Sequence, residues 1–195
     1  MFAVILLGVA TVGSAWCGYQ ATRWNGEQDK LVRESTDARV EASRLFSLAT
    51  QIVAYDTNVV GQFAQAAAAK NQQLMDFYRR SLVRPAFVPI LDRWLAEVKA
   101  GQSPQNLLDD KDYLDTQFGP YRKAQAQAEE YTRLGEEASN NSDAFVLTTL
   151  LLAVGLFFAG VTSSFRFPPA RFVLLVGAAL AIALAAARLV DLPIL

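Results

Sequence analysis

Hydrophobic positions are spread unevenly along this chain. They form three uncharged runs, and between the first two lies a long polar stretch in which apolar residues recur at helical intervals. Residues 1–22, "MFAVILLGVATVGSAWCGYQAT", carry no charge, and neither do residues 144–165 or 172–187. A helix rises about 1.5 Å per residue, so roughly 20 apolar residues cross a hydrocarbon core. The first two runs are long enough. The third is shorter, but Arg171 and Arg188 flank it and can carry their charged heads to the two interfaces. The pattern predicts an all-α membrane protein with three transmembrane helices, at 1–22, 144–165 and 172–190. A water-exposed helical bundle fills 23–143, a short loop 166–171 and a tail 191–195.

Within the polar stretch, Leu31, Ala38, Leu45, Ile52 and Val59 recur every seven residues. A companion line, Ser35, Ala42, Ala49, Asp56 and Phe63, is mostly small. One bulky and one small line at that period predict a close-packed coiled-coil seam. The first helix should therefore run on to about residue 70, reaching on the order of 70 Å beyond the span. Ahead of the second span, Ala124, Tyr131 and Ala138 repeat the period. That helix is expected to begin near Pro120, which suits a first-turn position. Both segments start at one membrane face, so they are natural antiparallel partners in an elongated bundle. Between them, "NQQLMDFYRRSLV" predicts a short helix with Leu74, Phe77 and Tyr78 inward, broken at Arg84-Pro85. "PAFVPILDRWLAEVKAG" predicts an amphipathic helix with Phe87, Leu91, Trp94, Leu95 and Val98 on one face and Gly101 closing it. A loop and a short acidic helix follow at 102–119, and no segment alternates with the period of a strand.

The junction "SAWCGYQATRWNGEQ" crowds Trp16, Tyr19 and Trp24 around Arg23, the pattern of an interfacial aromatic belt. A signal peptide cut after "VGSA" is the alternative. The missing basic residue ahead of the run and the run's length favour a span. Arg166 and Arg171 bracket the loop between spans two and three. Because short basic loops prefer the cytoplasm, the bundle is placed on the extracytoplasmic side of the membrane. Small residues recur four apart in each span: Ala10, Ser14 and Gly18; Gly155 and Ala159; Gly177, Ala181 and Ala185. Such spacing lets helices approach closely in lipid, within one chain or between copies. Thr148, Thr149, Thr162, Ser163 and Ser164 are expected to bond back to their own helices. A conduction path is the alternative.

Charge and composition remove several classes of chemistry. The chain has no histidine and one cysteine, Cys17, which excludes histidine-based catalytic groups, histidine pH switches and an internal disulfide. Residues 22–143 hold 15 of 18 Lys+Arg and 18 of 19 Asp+Glu, a mixed and mildly acidic balance that offers no footprint for nucleic acid. Asp109, Asp110, Asp112 and Asp115 form the densest acidic cluster. It lacks the glycine and glutamate of a calcium loop and is read as a helix start. Glu129-Glu130 and Glu136-Glu137 read as a solvated face. Tyr78, Arg79, Arg80, Arg84 and Trp94, with Arg93, make the one cationic and aromatic concentration. It could grip a headgroup or a partner's carboxylates; pairing with nearby carboxylates is the alternative.

The segments "ATVGSAWCGYQATRWNGEQ", "RPAFVPILDRWLA" and "SDAFVLTTLLLAVGLFFAGVTSSFR" resemble a family of small uncharacterised bacterial three-pass membrane proteins, with Trp16, Tyr19, Gln20, Ala21 and Trp24 as the most specific part. The resemblance implies three spans and no substrate, cofactor or catalytic residue. Taken with the residues, it leads to the expectation of a non-enzymatic scaffold or sensor-like interaction module. Its partners would be membrane lipid and a second copy or another membrane protein. It would have no cofactor, metal or small-molecule substrate. A channel or transporter accessory subunit formed by oligomerised spans is the alternative.

Overall fold

A computed structural model describes residues 2–101, 110–165 and 167–195, and the described residues contain helices and no strand. The helices are α1 (Phe2–Ala68), α2 (Gln72–Ser81), α3 (Val88–Lys99), α4 (Lys111–Val161) and α5 (Pro168–Asp191), with single 3-10 turns at Pro85–Phe87 and Thr162–Ser164. α1, α4 and α5 are each long and apolar enough to cross a membrane. The chain divides into two compact units, Met1–Ser35 with Glu129–Leu195, and Thr36–Ala128. Without a break, α1 and α4 each supply residues to both units.

In the first unit α1 and α4 pack antiparallel. The Leu152 methyl Cδ1 lies 3.1 Å from where a Cβ on Gly13 would sit, and Leu31 Cβ is 3.6 Å from that of Gly135. Between these contacts the Ser142 hydroxyl donates to the Ala21 carbonyl at 3.1 Å, and beyond the second Ser35 shares a hydrogen bond with Thr132 at 2.8 Å. As the position on α1 rises, its partner on α4 falls in step, so one register holds through the unit. α5 packs on this pair through alanines: Ala178, Ala181 and Ala185 are buried with Ile182. The closest approach is at Gly155, whose Cβ would stand 2.8 Å from Ile182 Cγ1 and 3.5 Å from the Ala178 carbonyl. Thr148, Thr149 and Thr162 donate to the carbonyls of Ala144, Phe145 and Phe158 at 2.8–2.9 Å, as expected of hydroxyls in an apolar helix. Outward, Val4, Ile5, Val9 and Val12 on α1, Leu150 and Phe157 on α4, and Phe172, Val173, Leu180 and Leu184 on α5 are exposed. Helices that are apolar outside as well as inside are the composition lipid selects.

In the second unit, α2, α3 and the turn between them cover α1 and the start of α4. The four positions Ala42, Ala49, Asp56 and Phe63 of the small line are all buried here. Val53, Val59 and Phe63 meet Val83, Phe87, Leu91 and Tyr113 in a single core, with Met75, Tyr78, Trp94, Leu95 and Phe118 around it. α1 ends where Lys70 takes a left-handed conformation, φ 53°, and Asn71 starts α2 by accepting the Leu74 N–H at 3.1 Å. Arg84 is extended, φ −64°, ψ 141°, as a residue before proline must be. Gly101 closes α3 with φ +73°.

Three local expectations are corrected. α4 begins at Lys111, and Pro120 lies inside it. A proline within a helix costs a backbone bond and clashes with the preceding turn, but the earlier start is held by Asp110, whose Oδ1 accepts the Tyr113 N–H at 3.0 Å and whose other oxygen pairs with Arg93. Phe77 points outward at 53% exposure, and Met75 takes the inward place expected of it. α5 starts at Pro168, within the stretch read as a loop, because proline at a first helical turn loses no bond.

Candidate functional site

A buried polar group sits in the core of the second unit. Asp56 is 1% exposed on the small line of α1. Its Oδ1 accepts from Arg84 Nε at 2.9 Å, and its Oδ2 takes the Arg84 Nη2 bond as well as the Tyr113 hydroxyl at 2.8 Å. Arg84 therefore holds the carboxylate with two parallel bonds, the strongest geometry an arginine offers. Three elements meet here: α1 brings the carboxylate, the extended residue ahead of Pro85 brings the guanidinium, and the first turn of α4 brings the phenol. Tyr113 is 2% exposed and packs edge-on to Phe87, with ring centroids 5.6 Å apart. Burial, then the Asp56 carboxylate, push the phenol well above its ordinary range. The hydrogen bond to Asp56 raises the Arg84 guanidinium further. The carboxylate takes three hydrogen bonds from two other elements, so the group clamps α1, the Arg84 turn and α4 together.

The arginine concentration expected at this end is dispersed by its carboxylates. Arg79 pairs with Asp92 at 2.8 Å, Arg84 with Asp56, and Arg93 with Asp110. Arg80 is exposed, Tyr78 is half-buried against the core, and Trp94 packs on the same core. The same unit has an open groove of about 380 Å³ lined by Thr50, Val53, Ala54, Thr57, Asn58 and Phe118. It carries no charged side chain, and the Thr57 hydroxyl is already given to the Val53 carbonyl at 2.7 Å. Among the described residues no three histidine, cysteine, aspartate or glutamate side chains converge as a metal site would need. Asp109 lies outside the described residues.

In the first unit the residues singled out from sequence sort into two faces. Ala10, Gly155, Ala159, Ala181 and Ala185 are buried, Ser14 and Gly177 are half-buried, and Gly18 faces open space with nothing within 4 Å of its would-be Cβ. Trp16 and Tyr19 are exposed with rings 6.0 Å apart, and the Arg23 guanidinium lies 5.9 Å from the Tyr19 ring centre. Arg171 and Arg188 are exposed, and Arg166 lies outside the described residues. Trp24 departs from this aromatic group. It is half-buried, and its indole N–H donates to the Pro193 carbonyl at 3.0 Å. Gln20 is fully buried, and its Oε1 accepts the Leu195 N–H at 3.2 Å.

The sequence places Gln20 in the junction motif and Asp56 on the small line, but assigns neither of them a partner. Each carries a signal: a lone amide among apolar positions, and a lone carboxylate on an otherwise small or apolar seven-residue line. Comparison with family models, curated proteins and solved structures gives no match.

Proposed function

We propose that this chain is a non-enzymatic integral membrane protein in which α1, α4 and α5 span the bilayer and the second unit is a water-exposed helical bundle. It acts as a scaffold or sensor-like interaction module and self-associates. The observation that carries this is the unbroken course of α1 and α4: the same two helices build the apolar three-helix unit and the core around Asp56. A partner that tilts or parts them at the second unit acts directly on the helices of the first. The clamped Asp56–Arg84–Tyr113 group supports the same reading, since it ties three elements together. The hydroxyls of Thr148, Thr149 and Thr162 are given to their own helices, which favours a packed anchor over a polar conduction path.

Self-association through the open face of α1 is tested by a pair of glycines. A Cβ at Gly18 meets nothing within 4 Å among the described residues, so Gly18→Leu should keep the fold and lower the mass of the protein in nanodiscs to that of one copy. Gly155→Leu should destabilise the chain itself by about 1–3 kcal/mol, because Ile182 and α5 have to move. An unchanged mass for Gly18→Leu by light scattering would remove self-association through this face. Orientation is tested separately. With the basic loop in the cytoplasm, an alkaline phosphatase fused at Gly101 of the full chain should be active, and an inactive fusion reverses the topology.

A further inference from the structure

Gln20 and Trp24, one helical turn apart on α1, hold a short extended segment between them. The helix α5 ends at Asp191, and Leu192 is extended, φ −84°, ψ 132°. Beyond it two residues are held through their backbone: the Pro193 carbonyl by Trp24, and the Leu195 N–H by Gln20. In an extended chain the carbonyl of one residue and the N–H two residues later point to the same edge, about 6.6 Å of chain apart. On a helix, residues four apart share a face and lie about 6 Å apart. The two repeats match, so a donor at Trp24 and an acceptor at Gln20 read one edge of an extended segment running opposite to α1. Proline fits position 193 for the same reason: it has no N–H on the edge where Trp24 offers only a donor. Leu192 packs against the apolar core of the unit.

The site is also incompletely used. Gln20 is 0% exposed, yet among the described residues its Nε2 has no hydrogen-bond partner. A buried amide N–H without an acceptor is costly, and the group that would satisfy it is a further carbonyl on the same edge.

We propose that Gln20 and Trp24 form a binding site for an extended apolar peptide segment, recognised through one backbone edge, and that residues 192–195 are its resident and displaceable occupant. The competing ligand is an extended apolar segment of another polypeptide. Displacement would free the end of α5 from α1. The site stands whether or not the three helices lie in lipid.

The test uses a fluorescent pentapeptide, Asp-Leu-Pro-Ile-Leu, and protein in nanodiscs followed by anisotropy. A chain shortened to Asp191 should bind it saturably, and the full chain at least tenfold more weakly because its own segment competes. Trp24→Phe in the shortened chain removes the N–H and should weaken binding severalfold, as loss of one hydrogen bond does. A peptide N-methylated at its last leucine, which cannot donate to Gln20, should weaken by a similar factor. Equal binding by the full and shortened chains, or by the methylated peptide, overturns the site and leaves partition into the bilayer. A second measurement does not depend on the shortened chain folding. In the full chain, hydrogen exchange at the Leu195 amide should be slow and should quicken severalfold in Trp24→Phe. Exchange already at the unstructured rate in the unaltered chain refutes the proposal.

Discussion

Arg84→Ala should destabilise the second unit by about 3 kcal/mol, the lower end of the cost of breaking a buried ion pair from one side. The lower end applies because the Arg84 side chain keeps 30% exposure and water replaces part of what is lost, whereas Asp56 at 1% has no such recourse. The variant leaves a carboxylate in the core with one phenol hydrogen bond in place of three bonds. The source of the cost can therefore be isolated. Adding Asp56→Asn to Arg84→Ala removes the uncompensated charge and should recover about half the loss. Hydrogen exchange at the buried amides of α1 around Val53 and Val59 reads the local opening free energy in both variants. If the double variant opens as easily as the single one, the buried charge is not the cause, and the arginine stem's packing is. Arg84→Lys should not substitute, because an ammonium cannot hold both carboxylate oxygens in parallel.

The same residue marks where sequence spacing stops being informative. The seven-residue lines on α1 are legible because a helix repeats its faces locally; all four second-unit members of the small line are buried. The three apolar runs, the break at Arg84-Pro85 and the turn at Gly101 are legible for the same reason, being local consequences of side-chain size, ring closure and backbone freedom. Spacing puts Arg84 with the surface arginines because its partner lies 28 residues away on another element, and local pattern has nothing to say about such pairs. The acidic cluster reads as a helix start, but the run of α4 on through Pro120 escapes the sequence, because Pro120 is a strong local signal overridden by tertiary contacts, the cap at Asp110 and the burial of Tyr113. Composition groups Trp24 with Trp16 and Tyr19, although its partner is 169 residues away in a segment too short to carry any periodicity.

Phe87→Ala should cost the second unit about 3–5 kcal/mol, the largest loss expected of a single truncation here. The ring is 1% exposed, sits in the 3-10 turn that redirects the chain from Arg84 into α3, and gives Tyr113 its aromatic neighbour. Removing it opens a cavity under a turn that has little regular structure to collapse around the void. The sensor-like part of the proposed function predicts an effect in the first unit as well. α1 belongs to both units, and Cys17, 0% exposed in the first, is the chain's single thiol and so a native reporter of that unit. If loosening the second unit is passed along α1, a membrane-permeant maleimide should label Cys17 severalfold faster in Phe87→Ala than in the unaltered chain. Fast exchange around Val59 with Cys17 still protected would make the two units energetically independent. The membrane protein would then be a scaffold that holds a partner-binding bundle in place, with nothing transmitted along the helices the units share.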